Sequence, residues 1–293
     1  MTQTTEQPFN LTTQDRFNQL PETREQWQRK NRYYYDDQRL YMKFLVPEGL
    51  RVLEIGCGLG DLLASLKPSR GLGIDLNDAM VKEAARRHPS LEFVVADAGT
   101  LDLDETFDVI ILVDVVGSLL DVETALRRLR RCCAPHTRLI ISYYNFLWEP
   151  ILKLAERLGL KMPQQQQNWL TSDDLANLLH LANYQVVKTE RRLLLPKWIP
   201  LISAIANRLL AFLPGFRSAC LCHYVVARPP AAEIGHERSV TVVIPCRNEQ
   251  GNIEAAIRRL PAFGSSLEVL FVEGNSTDGT REEIERVIRA YPG

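Results

Sequence analysis

Short apolar runs alternate with amphipathic stretches along most of this sequence, and this alternation limits the fold more than any other feature. The runs are rich in β-branched residues and predict strands over residues 51–55, 71–74, 91–96, 107–113 and 137–144. Helical patterns separate them near residues 60–67, 78–88 and 121–133. Apolar strands that alternate with helices form a parallel sheet with helices on both faces. The sequence therefore predicts a doubly wound α/β fold.

A polar, proline-bearing segment at residues 229–238 divides the chain into two parts, and we interpret it as a linker. Before it we expect a loose polar tail over residues 1–25 and one domain over residues 26–228. That domain opens with a predicted helix at residues 26–45. After the linker, residues 239–293 predict a separate strand–helix–strand–helix unit.

Composition narrows the functional classes. The 293 residues carry a net charge of −1, so no global charge favours nucleic acid as a partner. The six cysteines form no CxxC pair and no zinc-ligand spacing, which predicts free thiols in a reducing compartment and no metal site. The polar first residues differ from a signal peptide, and no run of about 18 apolar residues predicts a membrane span. We therefore expect a cytoplasmic protein.

The run LEIGCGLGD at residues 53–61 is the most informative local motif. An apolar strand ends there, three glycines alternate, and a helix follows, so the loop lets a ligand approach the backbone closely. Dinucleotide-binding loops have the spacing GxGxxG, whereas this loop has GxGxG with Asp61 in the last glycine's place. Glu54, just before the loop, would also repel a diphosphate. These two features disfavour a nicotinamide-dependent dehydrogenase.

The motif E-x-G-x-G-x-G resembles the first motif of class I S-adenosylmethionine-dependent methyltransferases, and the resemblance extends over residues 27–228. It implies a Rossmann-like seven-stranded doubly wound sheet and S-adenosyl-L-methionine as the cofactor. In that family an acidic residue after the second strand holds the ribose hydroxyls, and a carboxylate after the third strand lies at the adenine amino group. The cofactor-binding residues that the resemblance implies are Glu54, Gly56, Cys57, Gly58, Gly60, Asp75, Leu76, Asp97, Ala98, Asp114 and Tyr34.

Candidates for contact with the methyl acceptor come from position alone, because the sequence offers no clear general base. Tyr143, Tyr144 and Asn145 follow the fifth predicted strand, at the edge where ligands bind to such sheets. Trp169 lies just before the capping-box pattern of the next helix. The alternative interpretation is that these aromatic side chains only pack in the core.

The segment at residues 193–217 contains many large apolar residues and few charges. One interpretation is peripheral contact with a membrane, or reception of a lipid-linked acceptor, because basic residues and Trp198 border an apolar stretch. The other, which we prefer at this stage, is a helical hairpin packed on the core or at a dimer interface.

Residues 239–293 resemble the start of a family 2, A-type glycosyltransferase. Pro245, Arg247, Asn248 and Glu249 match the turn that cradles the uridine of a nucleotide sugar in that family, and Glu273 ends the second strand. The metal-binding and base residues of such enzymes lie beyond this stretch. The resemblance therefore implies a truncated or split bifunctional protein, and we expect this segment not to transfer sugar.

The leading functional hypothesis is methyl transfer from S-adenosylmethionine to a saccharide, a lipid-linked saccharide or a related small acceptor. The glycosyltransferase-like segment motivates the saccharide. The alternative is a non-catalytic module that keeps the methyltransferase fold and supports a glycosyltransferase partner. Both hypotheses predict cofactor binding, and they differ in turnover.

Overall fold

The computed structural model describes residues 20–163, 168–231, 239–261 and 265–291. The chain forms two compact units, Met1–Pro230 and Ala231–Gly293. The unit boundary falls inside the segment interpreted as a linker. Residues 1–19 of the predicted tail and 232–238 of that linker lie outside the described residues.

The first unit contains eight α-helices and seven strands among its described residues, with short 3₁₀ turns between them. The helices are α1 (Pro21–Lys30), α2 (Arg32–Leu45), α3 (Asp61–Ser65), α4 (Asp78–Arg87), α5 (Val122–Leu129), α6 (Glu149–Arg157), α7 (Ser172–Leu181) and α8 (Ile202–Arg208). The strands are β1 (Arg51–Ile55), β2 (Arg70–Asp75), β3 (Glu92–Val95), β4 (Phe107–Val113), β5 (Cys133–Tyr144), β6 (Gln185–Arg192) and β7 (Cys222–Arg228).

The seven strands form one sheet in the order β3-β2-β1-β4-β5-β7-β6, which confirms the predicted Rossmann-like architecture. Along β4, Ile110 and Leu112 pack in one apolar cluster while Val109 and Ile111 pack in another, so both faces of the sheet are covered. The sheet is not parallel throughout, because β7 pairs antiparallel with both β5 and β6. Strand β6 forms the edge of the sheet, and the chain then returns to place β7 between β5 and β6. Because this return does not cross a face of the sheet, β7 runs opposite to β6.

The N-terminal helical region differs from the prediction at both its start and its middle. Helix α1 begins at Pro21, inside the segment expected to be loose, and proline suits the first turn of a helix. Glu25 fastens this helix to α4 through an ion pair with Arg87 at 2.9 Å. The single helix expected over residues 26–45 is interrupted at Asn31, whose backbone is not helical.

Phe93 on β3 fills space that two glycines leave open. A Cβ atom on Gly60 would lie 2.5 Å from the Phe93 ring, and a Cβ atom on Gly73 would lie 2.6 Å from it. Neither distance is compatible with a side chain. The third glycine of the loop and a glycine of β2 are therefore both required by the packing of one aromatic ring.

The apolar segment at residues 193–217 does not form the packed helical hairpin that we preferred from the sequence. Its one α-helix is α8, and two 3₁₀ turns follow. Ser203 and Ala206 of α8 are buried, whereas Ile202 and Ile205 are exposed. Within the described residues, no helix is both long and apolar enough to cross a membrane.

The second unit contains β8 (Ser239–Cys246), α9 (Ile253–Arg258), β9 (Ser266–Glu273) and α10 (Thr280–Ala290), with the two strands parallel. The loops after its strands are joined by hydrogen bonds: the backbone N–H of Asn248 donates to Ser276 Oγ at 2.9 Å, and that of Glu249 donates to Thr280 Oγ1 at 2.7 Å. Glu273 lies beside Cys246 in the strand register. The residues that resemble a uridine site are therefore neighbours in this unit.

Candidate cofactor and acceptor site

The glycine loop after β1 is bare on one side. Gly56, Gly58 and Gly60 have φ values of 72°, 51° and 75°, in the left-handed region that glycine adopts without strain. A Cβ atom on Gly58 would meet no protein atom within 4 Å, whereas one on Gly56 would lie 2.6 Å from Val115. The backbone at Gly58 therefore faces open space that a ligand can occupy.

Asp75 lies beside this open space at the end of β2. Its Oδ2 accepts a hydrogen bond from the backbone N–H of Gly58 at 2.9 Å, and its Oδ1 accepts one from that of Asn77 at 2.9 Å. Each carboxylate oxygen can accept a further hydrogen bond. The neighbouring Leu76 is mostly exposed. Asp75 thus fixes the loop while keeping acceptor capacity for a ligand hydroxyl.

Asp97 follows β3 at the same edge of the sheet. The backbone N–H of Ala96 donates to the carbonyl of Asp75 at 3.2 Å, which brings the two loops together. Asp97 Oδ1 accepts from the backbone N–H of Gly99 at 2.8 Å, and Ala98 is buried. Asp75 and Asp97, to which the resemblance assigns the ribose and the adenine, therefore lie in adjoining loops.

Glu54 is almost fully buried beneath the loop, and its Oε2 accepts from the backbone N–H of Leu63 at 3.1 Å. Burial, opposed by this hydrogen bond and reinforced by nearby Asp75, raises the pKa of Glu54 to about 8. Burial also raises the pKa of the Cys57 thiol, which stays protonated and unreactive. A cationic ligand group above Glu54 would favour its ionised form.

Asp114 follows β4, and its carboxylate accepts hydrogen bonds from two elements, α2 and β5. Its backbone has φ 56°, and its carboxylate accepts from Tyr34 Oη, from Gln38 Nε2 at 2.8 Å and from Ser142 Oγ at 3.1 Å. Tyr144 Oη lies 3.5 Å away. Burial raises the pKa of Asp114, and these hydrogen bonds oppose that rise. The sequence analysis missed Gln38, although its spacing of four from Tyr34 was a usable signal.

Arg24 on α1 is a second residue that the sequence analysis missed, because it fell in the expected tail. It lines a cleft together with Glu54, Gly56 and Asp114. Its side chain forms no hydrogen bond or ion pair with the residues that the structure describes. A half-buried guanidinium that pairs with no described residue is suited to a carboxylate ligand.

A large apolar cavity adjoins this cleft and has a volume of about 380 Å³. Arg24 and Tyr35 line both the cleft and the cavity. The walls of the apolar cavity are mostly aromatic and aliphatic and include Trp27, Tyr34, Tyr144, Trp148, Leu152 and Leu195. Two cations, Lys161 and Lys197, also line it. A cavity of this kind fits an acceptor with a large apolar part.

The acceptor candidates on β5 face opposite sides of the sheet. Tyr144 lines the apolar cavity, near Asp114. Tyr143 points to the other side, where its hydroxyl contacts Ser172 Oγ at 3.3 Å. Successive side chains of a strand alternate in direction, so only one of the two tyrosines can serve the apolar cavity. The position of Tyr144 supports its candidacy more strongly than that of Tyr143.

The other two candidates, Asn145 and Trp169, differ in whether their side chains are free to contact a ligand. Asn145 is buried, and its Nδ2 donates to the carbonyls of Ser218 at 2.8 Å and Cys220 at 2.9 Å. Its amide is therefore used in holding the loop before β7. Trp169 instead lines a small cavity beside Asp114, together with Tyr143 and Tyr144. We conclude that Asn145 has a structural role, while Trp169 stays a candidate.

A family model described as "Methyltransferase domain" matches residues 27–189, which is more than half of the chain. The chain belongs to the methyltransferase domain family. The prediction of an S-adenosylmethionine-dependent methyltransferase is thereby confirmed at the level of the family, together with its cofactor class. Residues 241–293 match a second model, glycosyl transferase family 2, which confirms the resemblance of the second unit.

Curated relatives cover parts of the methyltransferase unit. A ubiquinone biosynthesis O-methyltransferase of Bradyrhizobium diazoefficiens is 26% identical over 155 residues, which are 49% of this chain and 60% of that protein. A phthiotriol/phenolphthiotriol dimycocerosates methyltransferase of Mycobacterium ulcerans is 45% identical over 73 residues, which are 22% of this chain and 27% of that protein. The chain thus spans less than two thirds of the length of either relative.

A solved structure shares the fold over most of the unit. The S-adenosylmethionine-dependent methyltransferase of Thermotoga maritima superposes with a TM-score of 0.58 at 22% sequence identity, covering 72% of this chain and 98% of its own. At this identity the similarity establishes the fold of the methyltransferase unit and not its acceptor.

Proposed function

We propose that the methyltransferase unit transfers a methyl group from S-adenosylmethionine to a small acceptor that enters the apolar cavity. The observation that carries this proposal is the open backbone at Gly58 with the Asp75 carboxylate hydrogen-bonded beside it. Asp75 would hold the ribose hydroxyls, and Asp97 and Ala98 the adenine. Glu54 and Arg24 would face the amino and carboxylate groups of the methionine part.

When bound, the cofactor supplies a methyl group on a positively charged sulfur, which an aligned nucleophile displaces in line. The contribution of the chain is positioning. Asp114 fixes the hydroxyl of Tyr34 and the amide of Gln38 between the cleft and the apolar cavity. The mostly apolar walls would leave few polar partners for water beside a bound acceptor.

The apolar lining of the cavity favours an acceptor with an apolar portion over a bare saccharide. A bare saccharide offers little apolar surface, whereas most of the cavity wall is apolar. We therefore propose a lipid-linked saccharide or another small acceptor with a substantial apolar portion. The cytoplasmic location, and a glycosyltransferase partner for the second unit, stay predictions.

Calorimetry of the full chain with S-adenosylmethionine, S-adenosylhomocysteine and NAD tests cofactor choice. We expect binding of the first two at micromolar concentrations and no binding of NAD. Binding of NAD alone would overturn the proposal.

Labelled methyl transfer to fractionated cell-envelope lipids and glycans tests turnover. Ala155→Phe, which fills part of the apolar cavity, should lower transfer and leave cofactor affinity unchanged. Cofactor binding without transfer to any fraction would instead favour the non-catalytic module.

Incubation with UDP- or GDP-sugars and manganese tests the second unit, from which we expect no release of nucleotide diphosphate.

A further inference from the structure

We infer that residues 195–217, called here the docking segment, bind the surface of an anionic lipid bilayer next to the opening of the apolar cavity. The inference rests on the proposed function only for the identity of the cavity as the acceptor site. Binding of the segment to lipid is a separate property, measured without cofactor or turnover.

The docking segment presents its large apolar side chains outward. In α8, the buried side chains are the small Ser203 and Ala206, while Ile202 and Ile205 are exposed. A helix on a protein surface ordinarily has the reverse arrangement, with its large apolar residues toward the core. Leu201 is 78% exposed and Phe212 is 67% exposed. A contiguous surface of this type needs an apolar partner.

Polar contacts hold this orientation in place. Asn207 Nδ2 donates to Tyr33 Oη at 3.1 Å and to the carbonyl of Leu195 at 2.9 Å, and Asn207 Oδ1 accepts from the backbone N–H of Leu195 at 2.9 Å. Ser203 Oγ donates to the carbonyl of Lys197 at 2.7 Å. Because the small polar residues are hydrogen-bonded inward, the outward position of the large residues is not a matter of loose packing.

The charges of the docking segment select an anionic partner. It contains Lys197, Arg208 and Arg217, and no aspartate or glutamate. Arg208 is exposed and forms no ion pair with a described residue, while Arg217 lies 3.8 Å from Glu190 in a long ion pair. Apolar side chains bordered only by cations are the pattern of segments that lie at a lipid interface.

The docking segment is continuous with the cavity wall. Leu195, Pro196 and Lys197 line the apolar cavity, and the exposed Trp198 follows directly. Ile151 of α6 also lines the cavity and is itself exposed. An amphiphile in a docked bilayer would therefore reach the cavity without crossing water.

Flotation of the full chain with vesicles tests the inference. The chain should bind vesicles of phosphatidylglycerol and phosphatidylcholine, and bind them less at high salt. The double variant Leu201→Ser/Ile205→Ser should partition about tenfold more weakly, because two exposed aliphatic side chains no longer enter the interface. Arg208→Gln should weaken binding to the mixed vesicles and leave binding to pure phosphatidylcholine unchanged.

Leu120→Ser is the matched control, since Leu120 is 84% exposed and lies outside the docking segment. It should bind vesicles like the unmodified chain. Calorimetry with S-adenosylmethionine should give one affinity for all of these proteins, which separates a failure of docking from a failure of the proposed function. Equal vesicle binding by the double variant would overturn the inference. So would a dimer in solution that does not bind vesicles and that Leu201→Ser/Ile205→Ser converts to monomer.

Discussion

The proposed cofactor side and the proposed acceptor side of the methyltransferase site are built from different kinds of groups. On the cofactor side, backbone amides and carboxylates at the ends of β1, β2 and β3 surround the open face of Gly58. On the acceptor side, aromatic and aliphatic side chains from α1, α2, β5, α6 and the docking segment form one apolar cavity. Asp114 and Arg24 lie where the two sides meet.

This difference indicates how each side tolerates change. Backbone geometry at three glycines allows few alternatives, because an added side chain is strained or enters ligand space. A cavity lined by separate side chains can change shape through single substitutions while the sheet stays intact. The proposed cofactor side thus depends on backbone geometry, whereas cavity-lining side chains outside the core cluster can be altered with less effect on the fold.

The largest expected effect comes from Gly58→Val. The valine would be strained at φ 51°, and its side chain would occupy the open face. We expect loss of more than about 100-fold in affinity for S-adenosylmethionine, measured by calorimetry. Gly49→Val is the control, since Gly49 also has a positive φ and open surroundings but lies outside the site. Equal losses in both variants would show that backbone strain alone is responsible.

Asp75→Ala should weaken cofactor binding by about 10- to 100-fold, because charge-assisted hydrogen bonds to two hydroxyls are lost. Since Asp75 also fixes the N–H of Gly58, part of this effect would come from a looser loop. The exposed neighbour Asp78 supplies the control Asp78→Ala, for which no change is expected. An unchanged dissociation constant for Asp75→Ala would remove Asp75 from the site.

Arg24→Met tests the boundary between the two sides. We expect about tenfold weaker binding of S-adenosylmethionine, because a carboxylate would lose its cationic partner. Binding of methylthioadenosine, which lacks the amino-acid part, should not change, whereas Asp75→Ala should weaken both ligands. Arg29→Met on the same helix is the control. Equal weakening of both ligands by Arg24→Met would contradict the assignment.

Glu54→Gln should change how the free energy of unfolding depends on pH. At low pH, where Glu54 is protonated, we expect little change from this titration. The folded-state pKa of Glu54, about 8, lies above its ordinary value, so the unmodified protein loses stability as pH rises from about 4.5 to 8. A neutral glutamine removes that loss. Thermal melting should therefore show the variant gaining several degrees relative to the unmodified protein between pH 5 and pH 8, a change of about a few kcal/mol. A difference in melting temperature between the two proteins that does not vary with pH would show that Glu54 does not titrate in this way.

The smallest effect is expected from truncation after Pro230. Both sides of the site lie in the first unit, and every proposed cofactor residue precedes residue 115. Calorimetry should give the same affinity for S-adenosylmethionine with and without the second unit. A large loss of affinity in a truncated protein with an unchanged circular dichroism spectrum would mean that the site is incomplete without that unit.

The placement of Asp75 and Asp97 at one edge of the sheet was predictable from the sequence because it depends on local rules. Asp75 and Asp97 each follow an apolar strand, and parallel strands bring their carboxyl ends to one edge. The acceptor side depends on long-range packing. Arg24 and Gln38 reach the site only because α1 and α2 lie across the ends of the strands, a placement that no local pattern records.

The direction of β7 and the exposed face of α8 were unpredictable for a similar reason. The order of strands and helices does not specify whether the segment after β6 crosses the sheet or returns along its edge. Residues 201–213 are apolar on nearly all sides of a helix, so hydrophobic periodicity does not distinguish the outer face from the inner one. Hydrogen bonds of Ser203 and Asn207 determine that choice.

The shared packing of Phe93 against Gly60 and Gly73 has an evolutionary consequence. Gly58 faces open space that we propose for the ligand, whereas Gly60 combines a positive φ with close packing against an aromatic ring of a different strand. Residues at positions 60, 73 and 93 should therefore covary among homologues. A smaller residue at position 93 would remove one of the constraints on Gly60 and Gly73, while the positive φ of Gly60 and the contact of Gly73 with Cys57 would remain. The last glycine of the motif is therefore constrained partly by its packing against Phe93, and not only by the proposed cofactor.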